Sequence, residues 1–87
     1  MAEATLLEYP CDFPIKILGR TQTGFAQAVL EIVQRHAPGF EASSMEMRAS
    51  RGGKYLSVTC VINAVSREQI DALYRELCDH PMVVMVL

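Results

Sequence analysis

Between residues 54 and 87 the chain alternates, then cycles, then becomes uniformly apolar. Leu56, Val58, Cys60 and Ile62 interleave with Tyr55, Ser57, Thr59, Val61 and Asn63, the period of two that a strand buried on one face requires. Ile70, Leu73, Tyr74 and Leu77 then recur at helical spacing. Ser66 stands as the N-cap of that helix with Gln69 three residues on, the pattern of a capping box, and Val65 is placed to staple against Ile70. Pro81 disfavours helical geometry at His80 and so ends the helix. Residues 82–87 read as a second strand, apolar on both faces.

The first half repeats the order. Pro10 and Pro14 hold the chain extended, and Phe13, Ile15 and Ile17 alternate with Lys16, Leu18 and Arg20, which predicts a half-buried strand. A polar turn follows with Thr23 or Thr21 as N-cap, and Phe25, Val29, Ile32, Val33 and His36 then form a helical stripe that Pro38-Gly39 stops. Met45, Met47 and Ala49 alternate with Glu46, Arg48 and Ser50 before a turn over residues 51–54, which makes a β-hairpin with the strand that follows. The order β-α-β-β-α-β with short, right-handed crossovers leads to an α+β ferredoxin-like sandwich: a four-stranded antiparallel sheet, order 4-1-3-2, with two helices on one face. Residues 10–87 are expected to form this single domain. Residues 1–9 are expected to be a flexible arm, with Leu6, Leu7 and Tyr9 able to tuck against the body.

Composition narrows the partners. The chain is 51% hydrophobic and 21% charged with a net charge of -2, which gives no electrostatic motive for binding nucleic acid or an anionic membrane. Sheet recognition of RNA would also need stacked aromatics on the central strands, where only Tyr55 stands. The longest apolar run, residues 82–87, is far shorter than the roughly 20 residues of a spanning helix. Three cysteines in no paired spacing, after an opening stretch without a secretory pattern, lead to the expectation of a reduced, cytoplasmic protein.

Three places could carry function. Strands two and four are the sheet edges; strand two bears Glu46 and Arg48, whereas strand four has neither charge nor proline. Met82, Val84 and Val86 are therefore candidate contacts for a protein partner or a homodimer, and shielding of that strand by the Leu6-Leu7-Tyr9 arm is an equal alternative. The turn bearing Gly19, Arg20, Thr21, Thr23 and Gly24 opens a helix, whose free amides and positive dipole end suit a small anionic metabolite, although a solvated turn is simpler. Arg48, Arg51 and Lys54 make the hairpin tip basic, either as a solvated turn or as a docking point for an acidic partner.

Other chemistry is weakly signalled. Cys78 and His80 lie two apart at a helix end and point different ways, so they read as helix-end packing and not as metal ligands. A catalytic thiol at Cys11 would need His36 or His80 beside it, and Cys60 falls in the core row. With no catalytic constellation visible, the expectation is a non-enzymatic protein without metal or cofactor.

Three segments, YPCDFPIKILG (9–19), SRGGKYLSVT (50–59) and REQIDALYRELCDHPMVVMVL (67–87), together resemble the YbeD-like family of small bacterial proteins of unknown function. The resemblance implies a ferredoxin-like sandwich similar in shape to ACT domains, the ligand-sensing modules of amino-acid-pathway enzymes, and a bacterial cytosolic setting. It further implies a link to lipoate metabolism, since genes of the family often lie near lipoate-attachment genes. By the ACT analogy a ligand would sit near the turn after strand one, where Gly24 is the matching residue. The leading expectation is thus a regulatory or small-ligand-binding module acting on a partner protein; the alternative is a protein-protein interaction adaptor without ligand.

Overall fold

The computed structural model describes residues 8–87; Leu6 and Leu7 of the expected arm lie outside them. The elements run β1 (Cys11–Arg20), α1 (Phe25–His36), a 3-10 turn (Ala42–Ser44), β2 (Glu46–Ala49), β3 (Tyr55–Ala64), α2 (Arg67–Asp79) and β4 (Val83–Val86). They form one antiparallel sheet in the order β2-β3-β1-β4, the ferredoxin-like arrangement expected from the alternation.

Register follows the hydrophobic rows. Ile15 pairs with Cys60 and Ile17 with Val58, and all four are buried against Phe25, Val29, Ile32 and Val33 of α1 and Leu73 and Leu77 of α2. A slip of one residue would turn those side chains to solvent and bring Lys16 and Thr59 into the core, so burial specifies the pairing. Phe40 is a core residue without periodicity to announce it: it is 7% exposed in the loop after α1, where its N–H donates to the Ala37 carbonyl.

The two helices start differently. Ser66 caps α2 as expected, its hydroxyl accepting from Gln69 N–H at 3.1 Å. The Gln69 side chain reaches back one residue further than in a standard box: its Oε1 accepts from Val65 N–H at 2.6 Å, and its Nε2 donates to the His36 carbonyl at 2.8 Å. One amide thus joins β3's exit, the start of α2 and the end of α1, while Val65 itself stays 55% exposed. At α1 the expectation of a threonine cap is corrected. Gly24 is the N-cap, with φ 91°, and no side chain caps the helix. A left-handed residue turns the chain abruptly enough to put Phe25 inside, and glycine adopts that geometry without a Cβ penalty.

The ends of the helices are also tied together. Glu76 of α2 forms an ion pair with Arg35, and its Oε1 lies 2.6 Å from His36 Nε2. His36, placed in the apolar stripe by spacing alone, is half-buried and serves this bridge. Hydrogen bonds from Arg35 and then His36 hold the Glu76 carboxyl below the usual carboxylate range, against a smaller opposing effect of burial.

Candidate functional site: the open face of the sheet

The helices cover one side of the sheet, and among the described residues no element covers the other. Along that other side, cross-strand rows read Glu46-Thr59-Lys16 and Arg48-Ser57-Leu18-Met85, followed by Tyr55-Arg20. Leu87 extends the row of Lys16, with which it exchanges backbone hydrogen bonds of 3.2 and 2.8 Å. Two shallow depressions on this face share Lys16, Arg48 and Ser57 in their walls. Ser57 Oγ donates to the Arg48 carbonyl at 3.3 Å, holding the hairpin arms together beneath them.

The apolar part of the face differs from the expected row of Met82, Val84 and Val86. Met82, Val83 and Val86 pack toward the core, whereas Val84, Met85 and Leu87 are 56%, 48% and 60% exposed. The cause is a bulge. Leu18 pairs with Met85 but Gly19 pairs with Val83, so Val84 is an extra residue in β4 and simple alternation fails across it. Tyr74 reaches over from α2, its hydroxyl donating to the Leu87 carbonyl at 3.3 Å.

The turn bearing Gly19, Arg20, Thr21, Thr23 and Gly24 stands at one end of this face, and so does the hairpin tip. Thr21 N–H donates to the Lys54 carbonyl at 2.9 Å, and Arg20 pairs with Tyr55. Two candidate regions more than twenty residues apart in sequence therefore form one corner, in which Arg20, Arg48, Arg51 and Lys54 are all exposed. Gly19 itself is buried, and an ideal Cβ on it would fall on the Phe25 ring and 2.6 Å from the Met82 carbonyl oxygen. Its role is close packing, and the accessible part of the turn is residues 20–24.

Both histidines have structural partners. His36 is bonded to Glu76, and His80 Nδ1 accepts from Met82 N–H at 3.1 Å in the turn that leads to β4. All three cysteines are free thiols, and burial pushes the Cys60 thiol up to about 11. Among the described residues no cluster of three or more His, Cys, Asp or Glu is placed to hold a metal, and no helix is long and apolar enough to cross a membrane.

Comparison with known proteins agrees with this architecture. Residues 4–87 match the family model described as protein of unknown function (DUF493). A UPF0250 protein of Nitrosomonas europaea is 59% identical over 87 residues, covering all of both chains, and one of Bordetella pertussis is 53% identical over 85 residues, covering 98% of this chain and 93% of its own. Among solved structures, protein HP0495 from H. pylori superposes with a TM-score of 0.75 at 16% identity, covering 93% of this chain and 85% of its own. The ACT domain from the GTP pyrophosphokinase of Chlorobium tepidum gives 0.66 at 15% identity, covering 87% and 84%. At those identities the likeness is one of fold, and it accords with the ACT-like shape that the sequence resemblance implies. With the matching strands, helices and relatives together, this chain belongs to the DUF493 (UPF0250) family, the YbeD-like proteins.

Proposed function

We propose that the protein is a non-enzymatic, cytoplasmic regulatory module that acts on a partner protein through the open face of its sheet. The observation that carries this reading is the uncovered apolar strip of Val84, Met85 and Leu87 beside Leu18, set in a face that no element of the chain covers among the described residues. Exposed apolar groups that adjoin one another mark contact surfaces more often than isolated ones do. Size sets a limit on what they can do: burying three half-exposed aliphatic side chains supplies roughly 2 to 5 kcal/mol, at or below the lower end of the about 4 to 15 kcal/mol that association costs. Polar and charged contacts must contribute as well.

Site-specific photo-cross-linking in cells tests the reading. A photoreactive residue in place of Ser57, on the open face, is expected to give discrete protein adducts, while one in place of Arg75, on α2, gives none. Adducts formed from Arg75 alone overturn it.

One observation favours a second reading, a small anionic metabolite at residues 20–24: Gly24 caps α1 without any side-chain bond, and although Phe25 N–H donates to the Gln22 carbonyl at 3.3 Å, the Ala26 and Gln27 amides that follow are left to solvent or to a ligand. Thermal-shift measurements with amino acids, nucleotides and lipoate-like acids decide it. Stabilisation by one class, lost on Arg20→Ala, supports a ligand-sensing module, and no shift with any of them favours an adaptor that works without ligand.

A further inference from the structure

Charge is distributed unevenly between the two layers. Of the eight Lys and Arg residues, Arg35, Arg67 and Arg75 are on the helices; the other five, Lys16, Arg20, Arg48, Arg51 and Lys54, are on the sheet and its hairpin tip, where all five are exposed. The sheet strands carry two carboxylates against them, Asp12 and Glu46, whereas the helices carry Glu31, Glu68, Asp71, Glu76 and Asp79. Ion pairing follows the same division. Among the described residues the ion pairs are Arg35-Glu76 and Arg67-Asp71, both on the helical side, where Glu76 also holds a hydrogen bond with His36, and none of the five sheet cations has a carboxylate partner. A chain with a net charge of -2 therefore presents a basic corner, and that corner borders the apolar strip of Met85 and Leu87.

We propose that this corner, from Lys16 and Arg48 to Arg20 and the hairpin tip, docks an acidic segment of a partner protein in which carboxylates alternate with aliphatic residues. The inference rests on the reading of the open face as a protein-contact surface and names the chemistry of its occupant. Alternation is what the geometry asks for: the row through Leu18 and Met85 is flanked by cations at Arg48, Lys16 and Arg20, so an extended segment meets apolar and basic positions in turn. Carboxylates supply the long-range attraction and fix register, and the aliphatic groups bury the strip. A polynucleotide fits less well, since it offers nothing to cover Leu87 and finds one aromatic, Tyr55, on which to stack. A second copy of the chain fits less well too: its acidic helices lie on the opposite layer, so copies would stack head to tail without closing.

The test is a titration of the isotopically labelled full chain, followed by NMR, with a short synthetic peptide alternating Glu and Val. The expected result is shifted amide signals at Lys16, Leu18, Arg48 and Ser57, with an affinity that weakens as salt is added and falls about tenfold in a Lys16→Glu/Arg48→Glu variant. Arg75→Glu on the helical side should bind as wild type does, and the salt series on wild type keeps the test valid if the double variant is poorly folded. Equal binding of a Gln-Val peptide at the same residues removes the charge requirement and leaves the sheet-face reading standing. Stronger binding of a single-stranded oligonucleotide than of the acidic peptide overturns the choice of a protein segment. Concentration-dependent self-association abolished by Lys16→Glu overturns it in favour of a second copy. Shifts confined to α1 and α2 sink both this inference and the reading beneath it.

Discussion

The ring of Phe25 stands where a side chain on Gly19 would have to go. β1 and α1 approach so closely there that the missing Cβ is part of the core packing, with the Met82 backbone carbonyl closing the other side at 2.6 Å from the ideal Cβ position. The first residue of a helix, the end of a central strand and the entry to an edge strand are thereby locked around one glycine.

Gly19→Ala should therefore destabilise the protein by about 1 to 3 kcal/mol, because a peptide carbonyl cannot rotate out of the way as a flexible side chain can. Gly39→Ala, with nothing within 4 Å of its Cβ, should be close to neutral. Urea midpoints with an unchanged m-value measure both. Equal midpoints for the two variants would contradict the packing described.

Gln69→Ala should cost more than Ser66→Ala. The serine variant loses one capping bond, worth about 1 kcal/mol, whereas the glutamine variant leaves both Val65 N–H and the His36 carbonyl without their partner. Thermal unfolding of the two single variants and the double variant gives the ordering and the coupling between them.

Acid stability should depend on Glu76. Its carboxyl is held below 4.5 by Arg35 and His36, so its contribution is fully present above that value and is lost as pH falls through the lower, folded-state value. Glu76→Gln should flatten the acid limb of the stability curve and leave its shape above neutrality nearly unchanged. The effect should be under about 1 kcal/mol, since the pair is open to solvent. Denaturant unfolding between pH 3 and 7 supplies the comparison, and parallel curves would show that the bridge contributes nothing.

Thiol reactivity should separate the three cysteines. At pH 8 iodoacetamide should modify exposed Cys78 first, while Cys60, buried with its thiol pushed up to about 11, should react only after unfolding. Peptide mass spectrometry of native and denatured samples reads this directly, and early labelling of Cys60 would mean that the core opens on the labelling timescale.

Strands and helices were legible because each exposes one face: the rows of Ile15 and Ile17 and of Val58, Cys60 and Ile62 alternate without exception, and Ile70, Leu73 and Leu77 keep helical spacing. Where a signal had competitors, reading failed. Threonines at 21 and 23 satisfy the statistics of a cap, yet the need to seat Phe25 against Gly19 selects left-handed Gly24. β4 is apolar on both faces, so nothing in its order of residues could reveal the bulge that sends Val84 and Met85 outward together. The basic corner was visible only in halves. It becomes one surface through the pairing of β1 with β3, which brings Thr21 to Lys54.

The extra residue in β4 also works against the joining of copies of the chain into fibres. A short apolar margin with regular spacing would be a template for cross-β growth, since each added strand finds an unbroken ladder of donors and acceptors. Val84 interrupts that ladder within a strand of four residues, leaving too few consecutive positions for another chain to zip onto. The irregularity thus does for this margin what Glu46 and Arg48 do for β2, acting as a gatekeeper made of geometry where the other is made of charge.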